Sequence, residues 1–505
     1  MRATNAPVAE AATAGRWASL FAKVGLPQLL ALALVLRLAT MTFATPVHPD
    51  EVFQYLETAH RLIWGQGVVT WEWRDGIRGW LLPLLTVPPM ALGGWLSPQS
   101  GLHLALPNLV MVGVSLTTVA VAWSLGARVS RLHAQVAAFV AAIWYEFLYF
   151  APHVMSEPAA TALILPAAVL LMDRERWSGR RLALAAALLA NAAALRFQYL
   201  PAIGALVLAC CVRDIRRCWA PLVIGGLAGL IPSAAADLSQ GATPFAWVAE
   251  NFHSNIVEGR AAGYSTSPPW GYLIEIWPRW ILWSVPLLVF AGVGARRYPA
   301  LAWMAAANFA FHSAVAHKEY RFILLSVAAV VILAAIGTVD WVERLRARDG
   351  EAAGRGKLRL VVVVWAIASV SCALGAFRSQ WMARRPEMQL YASLRGDAGL
   401  CGLTLYRHHF SATGGYAYLH RDVPMLYMPI QDSAARAAAD MASAAGAANV
   451  VMTTPGHAAE LPNGFAEARC EGQGAARVCL YRRPGRCTAA PYPLTINAAL
   501  ARVGE

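Results

Sequence analysis

Four short polar clusters interrupt an otherwise apolar chain, and their residue types set the chemistry open to it. The first, His48-Pro49-Asp50-Glu51, puts two carboxylates directly after a long apolar run. A carboxylate there can take the proton of an attacking hydroxyl. It can equally do no more than cap the helix that follows, where free backbone N–H groups favour an acid. The second cluster, Thr70-Trp71-Glu72-Trp73-Arg74-Asp75-Gly76-Ile77-Arg78-Gly79-Trp80, alternates indoles with charges. Indoles pack on sugar rings while arginines hold a phosphate, yet an aromatic belt with snorkelling arginines shows the same pattern, and spacing does not choose between them. The third cluster is Arg196-Phe197-Gln198-Tyr199, and the fourth is His317-Lys318-Glu319-Tyr320-Arg321. His317, Lys318 and Arg321 suit a lipid phosphate, Arg by bidentate contact and Lys as a point charge; a mixed-charge surface turn is the plainer alternative. Glu319 would keep that cluster paired when empty.

The rest of the chain sets where these clusters lie. Of 505 residues, 58% are hydrophobic and 14% charged, against roughly 25% charged in soluble proteins. A soluble enzyme is excluded, and the apolar runs read as a multi-pass membrane protein. The net charge of +13 would suggest nucleic acid in a soluble protein, but Arg and Lys concentrate in short gaps between apolar runs, as cytoplasmic loops require. No nucleic-acid partner is expected. Lysine occurs only at Lys23, Lys318 and Lys357, while Ala and Arg abound.

With basic loops inside, the residues before about 25 are cytoplasmic and a first span covers about 25–44. An outer loop follows over about 45–78. The stretch 79–104 is broken by Pro83, Pro88, Pro89 and Pro98 and reads as interfacial or re-entrant. Further spans are expected at about 106–127, 134–150, 157–172, 182–195, 199–212, 219–237, 273–293, 299–316, 322–338 and 360–377, which makes about eleven. All four polar clusters, and the stretch from Glu250 to Tyr272, then fall at the outer face. Ionisable residues cost about 2.5–3.5 kcal/mol each at membrane depth on insertion scales, so a cluster of them marks a pathway or a reaction. Residues 51–64 read as an amphipathic helix lying on the membrane: Val52, Tyr55, Leu56, Ala59, Leu62 and Ile63 share one face, with Glu51, Glu57, Thr58 and Arg61 opposite and Asp50 as its cap.

The expected organisation is a transmembrane catalytic domain over 1–378, with its outer catalytic loop at 45–104, and a small soluble α/β domain over 379–505 on the non-cytoplasmic side. Cys401, Cys470, Cys479 and Cys487 lie in the latter and allow three pairings; Cys210, Cys211 and Cys218 sit beside basic residues on the reducing side. No zinc-type spacing occurs, and no Asp-x-Asp is placed to hold a nucleotide-bound metal, so neither metal nor cofactor is expected.

HPDE after the first span, TWEWRDGIRGW, LRFQYLP, VEGRAAGYSTSPPWGY and HKEYRF, in that order over residues 27–338, resemble glycosyltransferase family 22. GGYAYLH at 414–420 looks like family sequence too. These are the mannosyltransferases of lipid-linked oligosaccharide and glycosylphosphatidylinositol assembly, in the GT-C superfamily, and the composition suggests a bacterial member. The resemblance implies an α-helical multi-pass GT-C fold. It implies transfer of a hexose, mannose above all, from a polyprenyl-phosphate donor to a hydroxyl of a lipid-linked or surface glycan, with inversion at the anomeric carbon. It makes Asp50 and Glu51 the catalytic pair, and matches His317, Lys318, Glu319 and Arg321 to the second motif.

The residue chemistry agrees. Inversion needs one carboxylate as base, for which Asp50 is the choice. A phosphate leaving group needs positive charge, from Arg321, Lys318 and Arg78, with Arg196 a weaker candidate. His48, Trp71, Glu72 and Arg74 complete the expected substrate-binding set. The expected partners are the polyprenyl-phosphate donor, a glycan or glycolipid acceptor, and membrane lipid. The expected location is the bacterial inner membrane with the site on the periplasmic side, or the lumenal side of the endoplasmic reticulum in a eukaryote. A lipid-linked sugar transporter or flippase is the rival, though transporters place polar groups near the midplane within repeats. A GT-C transferase for another sugar or a protein acceptor is a second.

Overall fold

The structure, a computed structural model, describes residues 23–44, 47–375, 377–490 and 492–504. The cytoplasmic segment expected before about residue 25 lies almost wholly outside these. Among the described residues, five helical segments are long and apolar enough to cross a membrane: Leu102–Ala127, Phe197–Ser239, Gly271–Ala295, Tyr320–Asp349 and Gly356–Leu374. Shorter apolar helices, Leu26–Thr42, Leu81–Leu96, Arg131–Ile143 and Ser156–Met172, pack among them. The chain is a helical, multi-pass integral membrane protein. Tyr320–Asp349 is its central helix, with 89% of its apolar window buried.

Close approach of these helices is bought by small residues. Helix Ile215–Ser239 lies so near helix Gly179–Leu195 that a Cβ on Gly225 would sit 2.0 Å from the Ala183 carbonyl oxygen, and one on Gly229 2.3 Å from that of Ala187. Gly at this four-residue spacing is what lets backbones touch where lipid gives no hydrophobic drive between helices.

Two expected spans are divided, each for a physical reason, and a third runs on into its neighbour. The run 134–150 breaks at Trp144, where the backbone turns extended between helices Arg131–Ile143 and Tyr145–Phe150. The break serves the buried Glu146 carboxylate, which accepts from Trp144 Nε1 (2.6 Å), Tyr145 Oη (3.0 Å), Trp280 Nε1 (3.2 Å) and Tyr320 Oη. The run 273–293 divides into Gly271–Trp280 and Ser284–Ala295 around Ile281, with Pro278 and Pro286 removing ladder donors. The run 199–212 is a 12-residue helix, Leu200–Cys211, that turns directly into Ile215–Ser239. In the proline-rich stretch, Leu81–Leu96 is helical with Pro88 and Pro89 inside it.

The basic loops gather at one end of the bundle. Arg128 and Arg181 both pair with Asp173, at 3.6 and 3.0 Å, Arg174 pairs with Asp214 at 3.6 Å, and Arg297 grips Asp340. Asp173 ends the helix that Ser156 and Glu157 begin. At 1.5 Å per residue this places Glu157, and the clusters around it, roughly 24 Å from the basic end.

The C-terminal part forms a five-stranded mixed sheet in the order β2-β1-β3-β5-β4, with β1 Leu403–Tyr406, β2 Met425–Met428, β3 Val450–Thr453, β4 Ala466–Glu471 and β5 Val478–Arg482. β1 pairs in parallel with β2 and β3, while β5 runs antiparallel to β3 and β4. The cysteines resolve as Cys401–Cys487 and Cys470–Cys479; Cys210, Cys211, Cys218 and Cys372 are buried thiols.

This sheet domain is locked to the outer loop, which corrects the reading of residues 51–64. Residues 51–56 form a π-helical turn, continued by helix Glu57–Trp64, and everything from Glu51 to His60 is buried on both faces. Of its polar face, Glu57 meets the sheet domain and Glu51 meets the segment before helix Ser156–Met172, instead of water. Glu57 accepts from the N–H groups of Val68 and Ala417, His60 Nε2 lies 3.1 Å from His420 Nδ1, and Asn497 bonds Gly67 and Val69. Burial pushes the Glu57 carboxyl up to about 7, against those two donors. GGYAYLH owes its second glycine to this contact, because Gly415 has φ +55° and a Cβ there would sit 2.6 Å from the Glu57 carboxylate.

Candidate active site

Glycine, proline and aromatic breaks bring residues of all four polar clusters to one end of the bundle. Asp50 directly precedes the π-helical turn, Glu157 lies in the first turn of Ser156–Met172, Arg196 ends Gly179–Leu195, and Arg321 lies in the short turn Tyr320–Ile323 before the central helix. Arg321 Nη2 donates to Asp50 Oδ2 at 2.6 Å and to Glu319 Oε1 at 2.8 Å, and its Nε to Glu319 Oε2 at 2.9 Å. Arg321 Nη1 lies 3.1 Å from Glu157 Oε1, which Arg196 Nη1 also meets at 3.0 Å. Two guanidinium groups thus hold three carboxylates. Asp50 does not cap the turn: no side-chain cap bond forms, because Arg321 claims its carboxylate.

The two histidines at this knot differ. His48 is driven to lower pKa by burial and by the Arg321 charge. Its Nδ1 accepts the Asp50 N–H at 3.2 Å, which fixes the neutral ring's tautomer and orients Asp50. His317 is raised by its bond to Glu319 at 3.2 Å. Burial pushes the Glu319 carboxyl up, but the Arg321 charge and the bonds from His317 and Arg321 prevail and hold it well below the usual carboxylate range.

These groups face a cavity of about 500 Å³, within the range of small-molecule sites. Asp50, Trp71, Glu72, Arg78, Arg196, His317, Glu319 and Arg321 line it. One wall is apolar, made by Phe197, Phe252, Ile256, Phe311, Val315 and Phe322. Glu72 accepts from Gln54 Nε2 at 2.7 Å and pairs with Arg78 at 3.5 Å, while Arg260 lies 5.0 Å over the Trp71 ring. Arg78 Nε and Arg196 Nε are buried with no hydrogen-bond partner among the described residues.

Four expected site residues do not line the cavity. Glu51 is buried and holds His153 Nδ1 at 2.5 Å and the Val154 N–H at 2.9 Å, so it clamps the outer loop to the start of Ser156–Met172. Lys318 turns its Nζ to the carbonyls of Val315 and Ser267 and lies 5.8 Å over the Tyr272 ring. Arg74 donates to the Val69 and Leu500 carbonyls at 2.7 and 3.5 Å, toward the sheet domain. His48 sits behind Asp50. Sequence reasoning missed Glu157, although an acid at the very start of an apolar run was its signal. It also missed Gln54 and the segment His409–Ser411, and gave no individual role to Thr70, Asn251 and Asn255, which lie in stretches it singled out; all of them line the cavity.

An acid held by an arginine and facing a cavity lined with cations has the parts to take a proton from a hydroxyl while the cations meet an anion. The fold matches the ArnT structure from Cupriavidus metallidurans bound to undecaprenyl phosphate with a TM-score of 0.58, over 92% of this chain and 98% of that one at 12% identity. ArnT in the apo state gives 0.59. The match shows the GT-C fold. Among curated proteins, GPI mannosyltransferase 3 of Yarrowia lipolytica is 25% identical over 404 residues, covering 77% of this chain and 74% of the relative. GPI alpha-1,2-mannosyltransferase 3 of Danio rerio is 46% identical over 54 residues, 11% of this chain and 10% of the relative. The profile of the Alg9-like mannosyltransferase family matches residues 28–393. The chain belongs to that family and is a mannosyltransferase.

Proposed function

We propose that the protein transfers mannose, with inversion, from a polyprenyl-phosphate donor to a hydroxyl of a lipid-linked or surface glycan, without a metal. The observation that carries this is Asp50, held at 2.6 Å by Arg321 in a cavity that also presents Arg78 and Arg196. The acceptor oxygen attacks the anomeric carbon, its proton passes to an Asp50 carboxylate oxygen, and the bond from that carbon to the phosphate oxygen breaks with its electron pair going to the phosphate. The negative charge developing there meets the guanidinium groups of Arg78 and Arg196 and the His317 ring, which line the cavity. Glu157 and Glu319 fix Arg321, and Arg321 fixes the position of the Asp50 carboxylate. Glu51 acts through the backbone it clamps. The apolar wall suits the first isoprene units of a lipid donor, and ArnT's complex with undecaprenyl phosphate supports that reading.

On sidedness, the charge bias of the basic loops at the far end of the bundle and the two disulfides of the sheet domain support a cavity and sheet domain on the non-cytoplasmic side. Proteoliposomes supplied with a panel of polyprenyl-phosphate sugars test the donor. Preference for a sugar other than mannose would refute that part, and full activity in Asp50→Asn would remove Asp50 from the mechanism.

A further inference from the structure

Two fully buried charges, Arg37 and Glu146, flank the break at Trp144, and neither belongs to the four polar clusters or to the cavity lining. Arg37, on the first span, donates to the carbonyls of Ala33 (3.2 Å), Ala141 (3.4 Å) and Ala142 (3.4 Å) and to Ser115 Oγ (2.9 Å). All four of these partners are neutral. Ser369 Oγ donates to the next carbonyl, that of Ile143, at 2.7 Å. The last carbonyls of helix Arg131–Ile143 are thereby satisfied inside the bundle, at the end where the helix dipole favours a cation. A helix that stops in the interior of a membrane protein needs such partners. This one is built to stop.

The stop delivers Glu146. A carboxylate is an acceptor only, with about four lone-pair sites, and four side chains fill them here. Trp144 Nε1 takes Oε2 at 2.6 Å, Tyr145 Oη (3.0 Å) and Tyr320 Oη take Oε1, and Trp280 Nε1 lies 3.2 and 3.4 Å from the two oxygens. One of these donors leads to the site, because Tyr320 immediately precedes Arg321 on the same four-residue turn. Helix Gly271–Trp280 grips that turn as well: Arg279 lies 4.2 Å over the Tyr320 ring, and Tyr272 Oη donates to the Glu319 carbonyl at 3.2 Å. Glu146 therefore ties together the break, this helix and the turn that carries Arg321.

We propose that Glu146 is a positioning residue for the transfer. Through Tyr320 it sets the seat of the Arg321 guanidinium, and through Arg321 the direction in which Asp50 presents its carboxylate to the attacking hydroxyl. Arg37 supports it by holding the end of the helix before it. The anchor is needed because Arg321 bonds Asp50, Glu157 and Glu319 at once, so a shift of its short turn moves every contact of the knot. A misplacement of about 1 Å costs on the order of a hundredfold in rate. This rests on the Asp50 reading above and adds a residue that touches neither substrate nor Asp50.

The test uses the purified full chain. Turnover is counted in proteoliposomes as mannose leaving polyprenyl-phosphate mannose, whether to octyl α-D-mannopyranoside or to water. Tyr320→Phe removes only the hydroxyl on Glu146 and keeps the ring under Arg279, whereas Trp144→Phe removes a bond to the other carboxylate oxygen, from the break itself. Tyr320→Phe is expected to lower kcat about tenfold and Glu146→Gln about a hundredfold, with donor KM within about twofold, while Trp144→Phe keeps kcat within about twofold. Tyr320→Phe leaves the carboxylate in place and decides the matter even where Glu146→Gln does not fold. Thermal unfolding adds a readout that needs no substrate. The midpoint shifts of Tyr320→Phe and Asp50→Asn are expected to be non-additive, and those of Trp144→Phe and Asp50→Asn additive. An unchanged kcat in Tyr320→Phe, an equal loss in Trp144→Phe, or additive shifts for Tyr320→Phe with Asp50→Asn would each overturn the proposal and leave the Asp50 mechanism intact. Full turnover in Asp50→Asn fails the Asp50 reading instead, and the kcat comparison then decides whether Glu146 positions Arg321. A wild type without turnover fails the donor reading, and the midpoint shifts then decide.

Discussion

Two Arg–Asp pairs joined by a histidine stand at opposite ends of this bundle. At the basic end, Arg297 donates to both oxygens of Asp340 at 2.9 and 2.8 Å, His133 Nε2 adds a contact at 3.2 Å, and His133 Nδ1 bonds Ser130 at 2.8 Å. At the other, Arg321 holds Asp50 beside His48. The residue types are alike, but the first set is mutually satisfied and borders no part of the large cavity, while the second faces about 500 Å³ of open space. Around it, Arg78 and Arg196 keep unpartnered N–H groups. Composition does not make the site. Room for a ligand beside a charged pair makes it.

The sharpest way to break this comparison is to neutralise both aspartates. Asp50→Asn is expected to lower transfer by about 100- to 10,000-fold, the usual worth of a general base. Asp340→Asn is expected to leave transfer within about threefold and to lower the thermal midpoint instead. Equal losses of transfer in both would erase the distinction. Next in size, Glu157→Gln leaves Arg321 and Arg196 buried around one fewer charge. It should destabilise the fold by roughly 3 to 5 kcal/mol and also reduce kcat, read by thermal unfolding and single-turnover rate.

Arg196→Lys should raise the donor KM roughly tenfold, because a lysine cannot keep Glu157 and still offer a planar fork to a phosphate. An unchanged donor KM would move the phosphate seat elsewhere. The smallest effect concerns pH. His317 is raised above its usual range by Glu319, so it stays cationic to a higher pH and loses its proton as pH rises past that raised value. Donor KM should climb a few-fold on that alkaline limb, and His317→Gln should flatten it. A limb of the same size in the variant would assign it to another group.

Residues legible in the sequence were those whose type conflicts with their surroundings. Asp50, Glu319 and Arg321 stood out as charges against apolar runs, and the cavity gathers all three. Lys318 stood out equally, yet its flexible stem lets Nζ reach two backbone carbonyls and leave the site. Glu51 seemed the twin of Asp50, but one residue along a helical turn points about 100° away, and that direction led to His153. Gln54 carried no signal, because an uncharged polar side chain in an amphipathic stretch is ordinary until its neighbours leave it without a partner.

The amino-acid sequence by itself determined a multi-pass helical membrane protein, the grouping of its basic loops and the order of its polar motifs, since these follow from hydropathy and local charge. Only the tertiary structure decided which carboxylate faces the cavity, which cations line it, how the four cysteines of the sheet domain pair, and that the sheet domain supplies part of the lining. Those outcomes depend on contacts between residues up to several hundred positions apart, such as Asp50 with Arg321 or Phe53 with Phe410, and no local pattern encodes a distance across the chain.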